Sequence, residues 1–457
     1  MTARPQVGGV DVFPDWATSD IVDSTSGMNN AYQYPAAWSN YGWSRAEKPP
    51  RQYDNWNKRY AGLWLRYLDE QAVKRLVWFI AASDASTSSK GIASATCDGT
   101  DDQVQINSAI VALAAVGGGT VVLSEGTFYI NGAVTLGENV SIIGQGVLAS
   151  TLKVPNAVAS SFNVLDGTAI AAGGIKIADL AVDGNKAAIG AFGHEGIVIG
   201  GGADCLIDNV ACFNLALSGT GGIGIEIDAA QSIISRCKCN GNDTYGYYLN
   251  TSADNLKIVD CQASSNTLDA ILDQGADDLM ISNFRSISDG LGLTLVGDRQ
   301  RVVGCNISLS SDYGISISGD GCSILGTLVR SCSHHGIILN ATTDAQVVGC
   351  RIDSNGLGTD NTYSGIRVVL GSGHIITGNQ VRRGAGNRHK YGIELADAPN
   401  APTSCLVFGN DCVLGGSTSN VYPQTDAGNG AKTMPGFITS DGGTTWKQNN
   451  MAYANLV

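Results

Sequence analysis

GISISGDGCSILGTLVRSCSHHGIIL, residues 314–339, holds one full unit of the pattern that organises this chain. It opens on Gly-Ile-x-Ile, turns at Gly-Asp-Gly, runs through a second apolar stretch, and returns to a glycine followed by Ile-Ile-Leu. The same opening recurs as GIVI at 196, GIEI at 224, GYYL at 246, GIRV at 365 and GIEL at 392, with Ala270 and Gly292 in the two gaps. Successive units are 28, 22, 24, 22, 22, 22, 29 and 27 residues apart. A period near 22 with two or three short strands per unit is the signature of a β-solenoid, whose coils bury a shared core by stacking. The second β-run carries its own ladder, read one per unit as Cys212, Cys237, Cys261, Phe284, Cys305, Leu328, Cys350, Asn379 and Asn410. Like residues stacked on like are what in-register coils about 4.8 Å apart produce. The fold class is therefore all-β, a parallel β-helix.

Composition agrees. The chain has 457 residues, with 59 Gly, 10 Pro and 43% apolar residues, so it can bury a long core and is neither collagen-like nor disordered. Its 28 Lys and Arg stand against 41 Asp and Glu, a net charge of −13. A surface this acidic disfavours nucleic acid unless positive charge is locally concentrated. The longest apolar run, 76–82, is too short to insert in a membrane, and no signal peptide is read at the amino end, so synthesis in the cytoplasm is expected. The 12 Cys are scattered singly, without paired Cys-x-x-Cys spacing, which reads as buried, reduced, small apolar residues and not as zinc ligands. No metal or other cofactor is expected.

Working outward, residues 1–54 show no sustained period. Over 55–90 a helical neck and linker are expected: Trp56, Tyr60, Leu63 and Tyr67 form an apolar seam, Glu70 breaks it, and Leu76, Val77 and Ile80 resume it in shifted register. That helix either lies on its own domain or self-associates as a short bundle. Ser83–Gly91 reads as a polar linker. Next come an N-cap cluster at Thr100 and Asp101, a helix from about Gln103 to Ala115, and strands at Thr120–Leu123 and Thr127–Ile130. The β-helix with its capping helix is placed at 91–414. Residues 415–457 lose the period and read as a C-terminal cap or clasp.

The stretch CDGTDDQVQINSAIVALAAVGGGTVVLSEGTFYI (97–130), followed by Gly-rich coils, resembles the start of right-handed, pectate-lyase-like parallel β-helices. The opening FPDWATSDIVD (13–23) and YGWSRAEKPPRQYDNWNKRYAGLWLRYLDEQ (41–71) resemble the amino-terminal segment of bacteriophage and prophage tail fibre proteins. Together they resemble a phage tailspike. That resemblance implies right-handed coils, an N-terminal segment attached to other tail or baseplate proteins, a place in the virion tail, a homotrimer, and a β-helix that engages host-surface polysaccharide. Some such proteins degrade the glycan, so a polysaccharide hydrolase or lyase is the alternative, and a purely structural adaptor a third. No catalytic residue is carried over from the resemblance.

The residue after each strand-opening Ile should point outward, giving the column Val198, Glu226, Tyr248, Leu272, Thr294, Ser316, Ile338, Arg367 and Glu394. Asp228 follows Glu226 by two and shares its face, about 6.6 Å away along an extended strand. That separation is at the lower edge for inverting glycoside hydrolysis, in which one carboxyl protonates the leaving oxygen and the other activates water. Glu226 and Asp228 are therefore the candidate catalytic pair, against the alternative of a solvated acidic face. Tyr248 one coil above would be a sugar platform, with Asp269 or Asp273 two coils above. The long repeats place their insertions at one corner, Ala216–Gly222, Ser354–Tyr363 and Arg382–Lys390, and the last (RRGAGNRHK) concentrates Arg382, Arg383, Arg388, His389 and Lys390. With Arg367 and Glu394 nearby, this loop would receive an acidic glycan or contact a neighbouring subunit. Tyr248, Asp273, Arg367, Arg388 and Glu394 are the candidate substrate-binding residues. His335 reads as a packed residue in the same register as Tyr313 and Tyr391.

Overall fold

The computed structural model describes residues 77–422, apart from 219, 386–388, 397–398, 401 and 413–414, together with the strands Gln6–Val7, Val10–Asp11 and Met434–Gly436. The chain divides into two units, Met1–Leu76 and Val77–Val457. In the first, Gln6–Val7 and Val10–Asp11 pair antiparallel. The attachment segment expected over 1–54 and the seam at 56–67 otherwise lie outside the described residues.

The second unit is a right-handed parallel β-helix. A representative coil has strands Tyr247–Leu249, Lys257–Val259 and Gln262–Ser264, each paired in parallel with its counterpart one coil on. The first strands of all coils form a 12-stranded sheet from Val134–Thr135 to Ser419–Tyr422, here called the face sheet. Its interior side stacks Ile197, Ile225, Tyr247, Ile271, Leu293, Ile315, Ile337, Ile366 and Ile393, all buried.

Glycine opens these strands because backbones meet there. The amide of Tyr247 donates to the carbonyl of Ala270 one coil on, and that of Ile225 to Gly246 in the same way, both at 3.0 Å. A Cβ built on Gly224 would lie 2.5 Å from the Gly246 carbonyl oxygen, and one on Gly246 would lie 2.6 Å from that of Ala270. A side chain at such a position must push adjacent coils apart.

The corners use the left-handed region. Arg236, Asp260, Asn283, Gly304, Gly326, Gly349, Gly378 and Gly409 all have φ between 54° and 67°. Asp, Asn and Gly tolerate that conformation best, which explains their recurrence just before the Cys/Asn ladder. The ladder itself is corrected at two rungs. Asn379 Oδ1 accepts from the Cys350 amide at 2.8 Å, the Asn379 amide donates to Asn410 Oδ1, and the Cys305 amide donates to Thr327 Oγ1, so Thr327 and not Leu328 is the rung. Cys212 pairs in register with Cys239, not Cys237, and so belongs to the next strand's interior row. All 12 cysteines are free and buried. A further polar ladder lies at the following corner: Asn242 Oδ1 accepts from the Leu215 amide, Asn266 Oδ1 from Asn242, and Asp289 Oδ1 from Asn266. These side chains satisfy amides that no strand partner reaches.

The amino end of the coil stack is closed by the helix Gln103–Ala114, which buries Ile106, Ala109, Ile110 and Leu113. Asp102, and not the Thr100/Asp101 cluster, sits at its N-cap, with its carboxylate accepting from the amides of Gly99 and Tyr129. The expected helical neck is corrected from residue 77 onward. Val77–Ala81 is a strand, paired in parallel with Ala95–Thr96 and Gly119–Leu123, so the β-helix begins before residue 91. The run VWFIA is β-branched and aromatic, a composition that packs better on a pleated surface than in a helix. Within the expected linker, Thr87–Ile92 forms a short helix capped by Ser86. Past 414, Ser419–Tyr422 pairs with Tyr391–Leu395 and Met434–Gly436 with Leu406–Phe408, so coil pairing continues into the segment expected to be a cap.

The glycine column yields a stability test. A Cβ on Gly336 would meet the Gly365 carbonyl oxygen at 2.6 Å, Asn355 Nδ2 at 2.7 Å and Ile352 Cγ2 at 2.8 Å. Gly336→Ala is expected to destabilise the protein by about 1–3 kcal/mol, the usual cost of overpacking. Ala270→Gly, at a position where the column already accepts a methyl, should cost about 1 kcal/mol or less. Urea titration of both variants followed by circular dichroism checks this.

Candidate functional site

The outward column holds in register. Asp166, Val198, Glu226, Tyr248, Leu272, Thr294, Ser316, Ile338, Arg367, Glu394 and Tyr422 pair one to the next along the face sheet. Beside it runs a second column, made by the residue preceding each glycine or its equivalent: Glu195, Ile223, Tyr245, Asp269, Leu291, Tyr313, His335, Ser364 and Tyr391. The columns meet in a repeating way. Within one coil, the Tyr245 and Tyr248 rings are 5.3 Å apart. Between coils, a residue of the second column meets the outward residue of the coil above: His335 faces Arg367, and Ser364 donates to Glu394.

The same offset brings Glu195 to Glu226. Burial, then the charges of Glu226 and Asp166, push the Glu195 carboxyl up to about 7. Tyr248 lies over this pair, and its phenol is raised by burial and then by the charges of Glu226 and Glu195. Glu226 Oε1 accepts from Asn250 Nδ2 at 2.8 Å, which fixes its carboxylate. Farther along the strip, burial pushes Asp269 up to about 6. The arrangement places a carboxyl that keeps its proton near neutral pH one coil, about 4.8 Å along the axis, from a second carboxyl, with two tyrosines alongside.

Of the sequence-derived pair, Glu226 lies in this strip. Asp228 lies past the end of strand Ile225–Ile227, where its own amide donates to Ile199 and its Oδ1 accepts from the Ser252 amide at 3.0 Å. It closes a turn in the next coil. Asp273 is also corrected: it is fully buried, and it accepts from the amides of Gly275, Ala276, Val296 and Gly297 and from Gln300 Nε2. It follows Leu272 by one, so it replaces an aliphatic rung on the interior side and cannot reach a ligand. Glu195 was missed because strict strand alternation puts the residue before the glycine inside, whereas the observed contacts bring that column to the outer strip.

The basic loop does not gather as expected. Arg388 lies outside the described residues. His389 is buried, accepts from the Asn355 amide through Nε2 and is pushed down to about 4 by burial. Arg382 pairs with Asp411, and Lys390 lies 5.0 Å from the Tyr391 ring centroid. Arg367 and Glu394 do come together, Nε to Oε1 at 3.5 Å.

Two family descriptions match parts of the chain: "Right handed beta helix region" over residues 269–426 and "Periplasmic copper-binding protein (NosD)" over 164–324. Among the described residues, no group of three or more His, Cys, Asp or Glu side chains could hold a metal ion, and the cysteines face the core, so the donor set does not fit copper. No curated protein matches the sequence significantly. Among solved structures, the A-module of the Azotobacter vinelandii mannuronan C-5 epimerase AlgE6 is 15% identical with a TM-score of 0.61, over 74% of this chain and 96% of that one. The AlgE4 A-module of the same organism is 16% identical with a TM-score of 0.58, over 72% and 96%. Tailspike protein 3 of bacteriophage CBA120 is 15% identical with a TM-score of 0.44, over 72% and 58%. At these identities the epimerase modules establish the fold, a right-handed parallel β-helix.

The raised Glu195 carboxyl carries a pH signature. In the folded chain it holds its proton up to about 7, against an ordinary value of 4.5, so between those limits the folded state binds more protons than the unfolded one. Stability contributed by this group is complete below the ordinary value and is lost as pH rises through 7. Glu195→Gln is therefore expected to raise Tm relative to the parent at pH 8 and to give no such gain at pH 4, a comparison that differential scanning fluorimetry across pH makes directly.

Proposed function

We propose that this chain is a tailspike-type protein whose face sheet engages polysaccharide on a host cell surface. The observation that carries this reading is the strip made by the two adjoining columns, where Tyr245 and Tyr248 lie beside Glu195, Glu226 and Asp269 on a rigid parallel sheet. Tyrosines give apolar faces for sugar rings and hydroxyls for their polar edges, and carboxylates accept from sugar hydroxyls. The amino-terminal resemblance to tail fibre proteins supports a particle-attached role, with residues 1–54 as the anchor, tail or baseplate proteins as partners, a homotrimer as the assembly and the virion tail as its location.

A second reading, cleavage of the bound glycan, is favoured by one feature: Glu195 is kept protonated beside Glu226. In a hydrolase, Glu195 would protonate the leaving oxygen while Glu226 acts as base or nucleophile. This replaces Asp228 in the pair.

The test is binding of the full chain to purified surface polysaccharides of candidate hosts, by light interferometry, with static light scattering reporting the assembly. Tyr248→Ala should weaken binding by about 3–10-fold, in line with loss of one aromatic contact. If the glycan is cleaved, Glu195→Gln and Glu226→Gln should each lower the release of reducing ends by about 10²-fold or more while binding persists. Asp228→Asn, whose amide oxygen can still accept from Ser252, should leave cleavage within about 3-fold of the parent. Absence of binding to every host polysaccharide by a folded trimer would discard the proposal.

A further inference from the structure

A second constellation lies six coils from Glu226, about 29 Å along the axis at 4.8 Å per coil. It comprises Asp312 and Tyr313, His334 and His335, Tyr363 and Ser364, then Arg367 and Glu394, contributed by four successive coils of the face sheet. Tyr363 stacks on His334 with centroids 4.2 Å apart, and Tyr313 lies parallel to His335 at 5.8 Å. His334 also pairs with Asp312.

The hydrogen-bond geometry of His335 is incomplete in a telling way. The ring is 2% exposed, and Nδ1 accepts from the Ser364 amide at 2.7 Å. That bond leaves the proton of the neutral ring on Nε2. Nε2 faces Arg367 Nη1 at 3.3 Å, and a guanidinium has only donors. Two donors therefore point at one another with no acceptor between them. Protonating the ring does not relieve the conflict, because Nδ1–H would then oppose the Ser364 amide. Burial and then the Arg367 charge push the imidazole down to about 3, so the ring stays neutral.

Arg367 has donors to give. Its Nε has no hydrogen-bond partner, and Glu394 Oε1 stands off at 3.5 Å while Oε2 accepts from Ser364 Oγ. Nε itself is buried, but the side chain as a whole is 34% exposed, so an external group approaches the guanidinium from its open side. The Arg367 charge also reaches Tyr313, whose hydroxyl is a further donor. Because Glu394 already offsets part of the guanidinium charge, the fitting occupant is a monoanion with oxygens spread in a plane, which an arginine fork matches best.

We propose that Arg367 and the Nε2–H of His335 form a subsite for the carboxylate of an acidic sugar, with Tyr313 and Tyr363 beside the sugar ring. It rests on the reading of the face sheet as a polysaccharide strip, and would hold an acidic residue of the same chain some six coils from the Glu195–Glu226 pair. The intervening outward residues Leu272, Thr294, Ser316 and Ile338 carry no charge, so selection for the anion is local to this end.

The experiment measures binding of the full chain to a panel of bacterial surface polysaccharides, each in native and carboxyl-reduced form, with sulfated dextran as a second anion. Native uronate-bearing glycan is expected to bind about 10–100-fold tighter than its reduced form, the effect of a lost charge-assisted bond. Arg367→Gln should abolish that preference, bringing the native and reduced forms to the same affinity. Arg367→Lys, which keeps the charge but not the fork, should retain part of it and serves if the glutamine variant does not fold. Equal binding of native and reduced forms, or an undiminished preference in both variants, overturns the subsite but leaves the polysaccharide reading standing. Preference for sulfated dextran overturns the carboxylate assignment. Binding to no polysaccharide overturns both proposals together.

Discussion

Everything in this β-helix depends on how closely one backbone can lie on the next where each face strand begins. The first amide of the strand donates to the carbonyl of the strand-opening residue one coil on, and from Gly196 to Gly365 there is no space at that residue for more than a methyl group. Register follows from this contact. Once glycine meets glycine, every residue after it meets its counterpart, and the chain acquires columns along the axis instead of isolated side chains. Interior columns become aliphatic because they are dry, and corner columns become Asp, Asn or Gly because they are left-handed. The outer columns are the only ones whose composition the coil leaves open.

That freedom is visible chemically. Along one strip the outward residues change from Asp166 and Glu226 through Tyr248 to Leu272, Thr294, Ser316 and Ile338, and then to Arg367 and Glu394. Interior rows vary far less, and a polar residue that enters one is satisfied there: Asp273 is met by five donors, and Ser286 donates to Asp289. The contrast between Asp273 and Glu195 defines what a site needs here. Both are carboxyls in largely dry surroundings, but Asp273 has its oxygens filled by amides and an amide side chain, whereas Glu195 has carboxylates for neighbours and keeps its proton instead. A filled carboxylate is a structural element; a protonated one beside an ionisable partner is able to do chemistry.

How far the sequence reveals this depends on which geometric rule is applied. The outward column could be read across from Val198 to Glu394 without error, since the step from one glycine to the next fixes it. The Cys/Asn ladder slips at Cys212, two residues past the position level with Cys237, and at Leu328, one past the true rung Thr327. Leu76, Val77 and Ile80 fit a helical seam because apolar residues at three-residue spacing also fit a strand of unbroken hydrophobicity, and only the parallel partners of Val77–Ala81 distinguish the two. Glu195 escaped because alternation was extended backwards through a glycine. The register of His335, Tyr313 and Tyr391 was legible, and following it down the coils would have reached Asp269, Tyr245 and Glu195.

Charge adds a last constraint. In a chain with net charge −13, a long-range field cannot draw an anion to the face sheet, so any selection for one must come from short-range donors. The basic loop at 382–390 does not supply them in the described residues: its histidine is buried as a backbone acceptor and Arg382 is held by Asp411. Arg367 differs because its neighbour of opposite charge sits at the edge of contact while a neutral imidazole presents a second donor. Donors that converge without an acceptor cost energy in the empty protein, and that cost is recovered only when an acceptor arrives. On the proposed reading, position along the axis then matters as much as chemistry, since the coil spacing of about 4.8 Å sets how far an acidic group would be from a sugar placed over Glu195 and Glu226. The solenoid acts as a ruler, and its outer columns decide what is read at each mark.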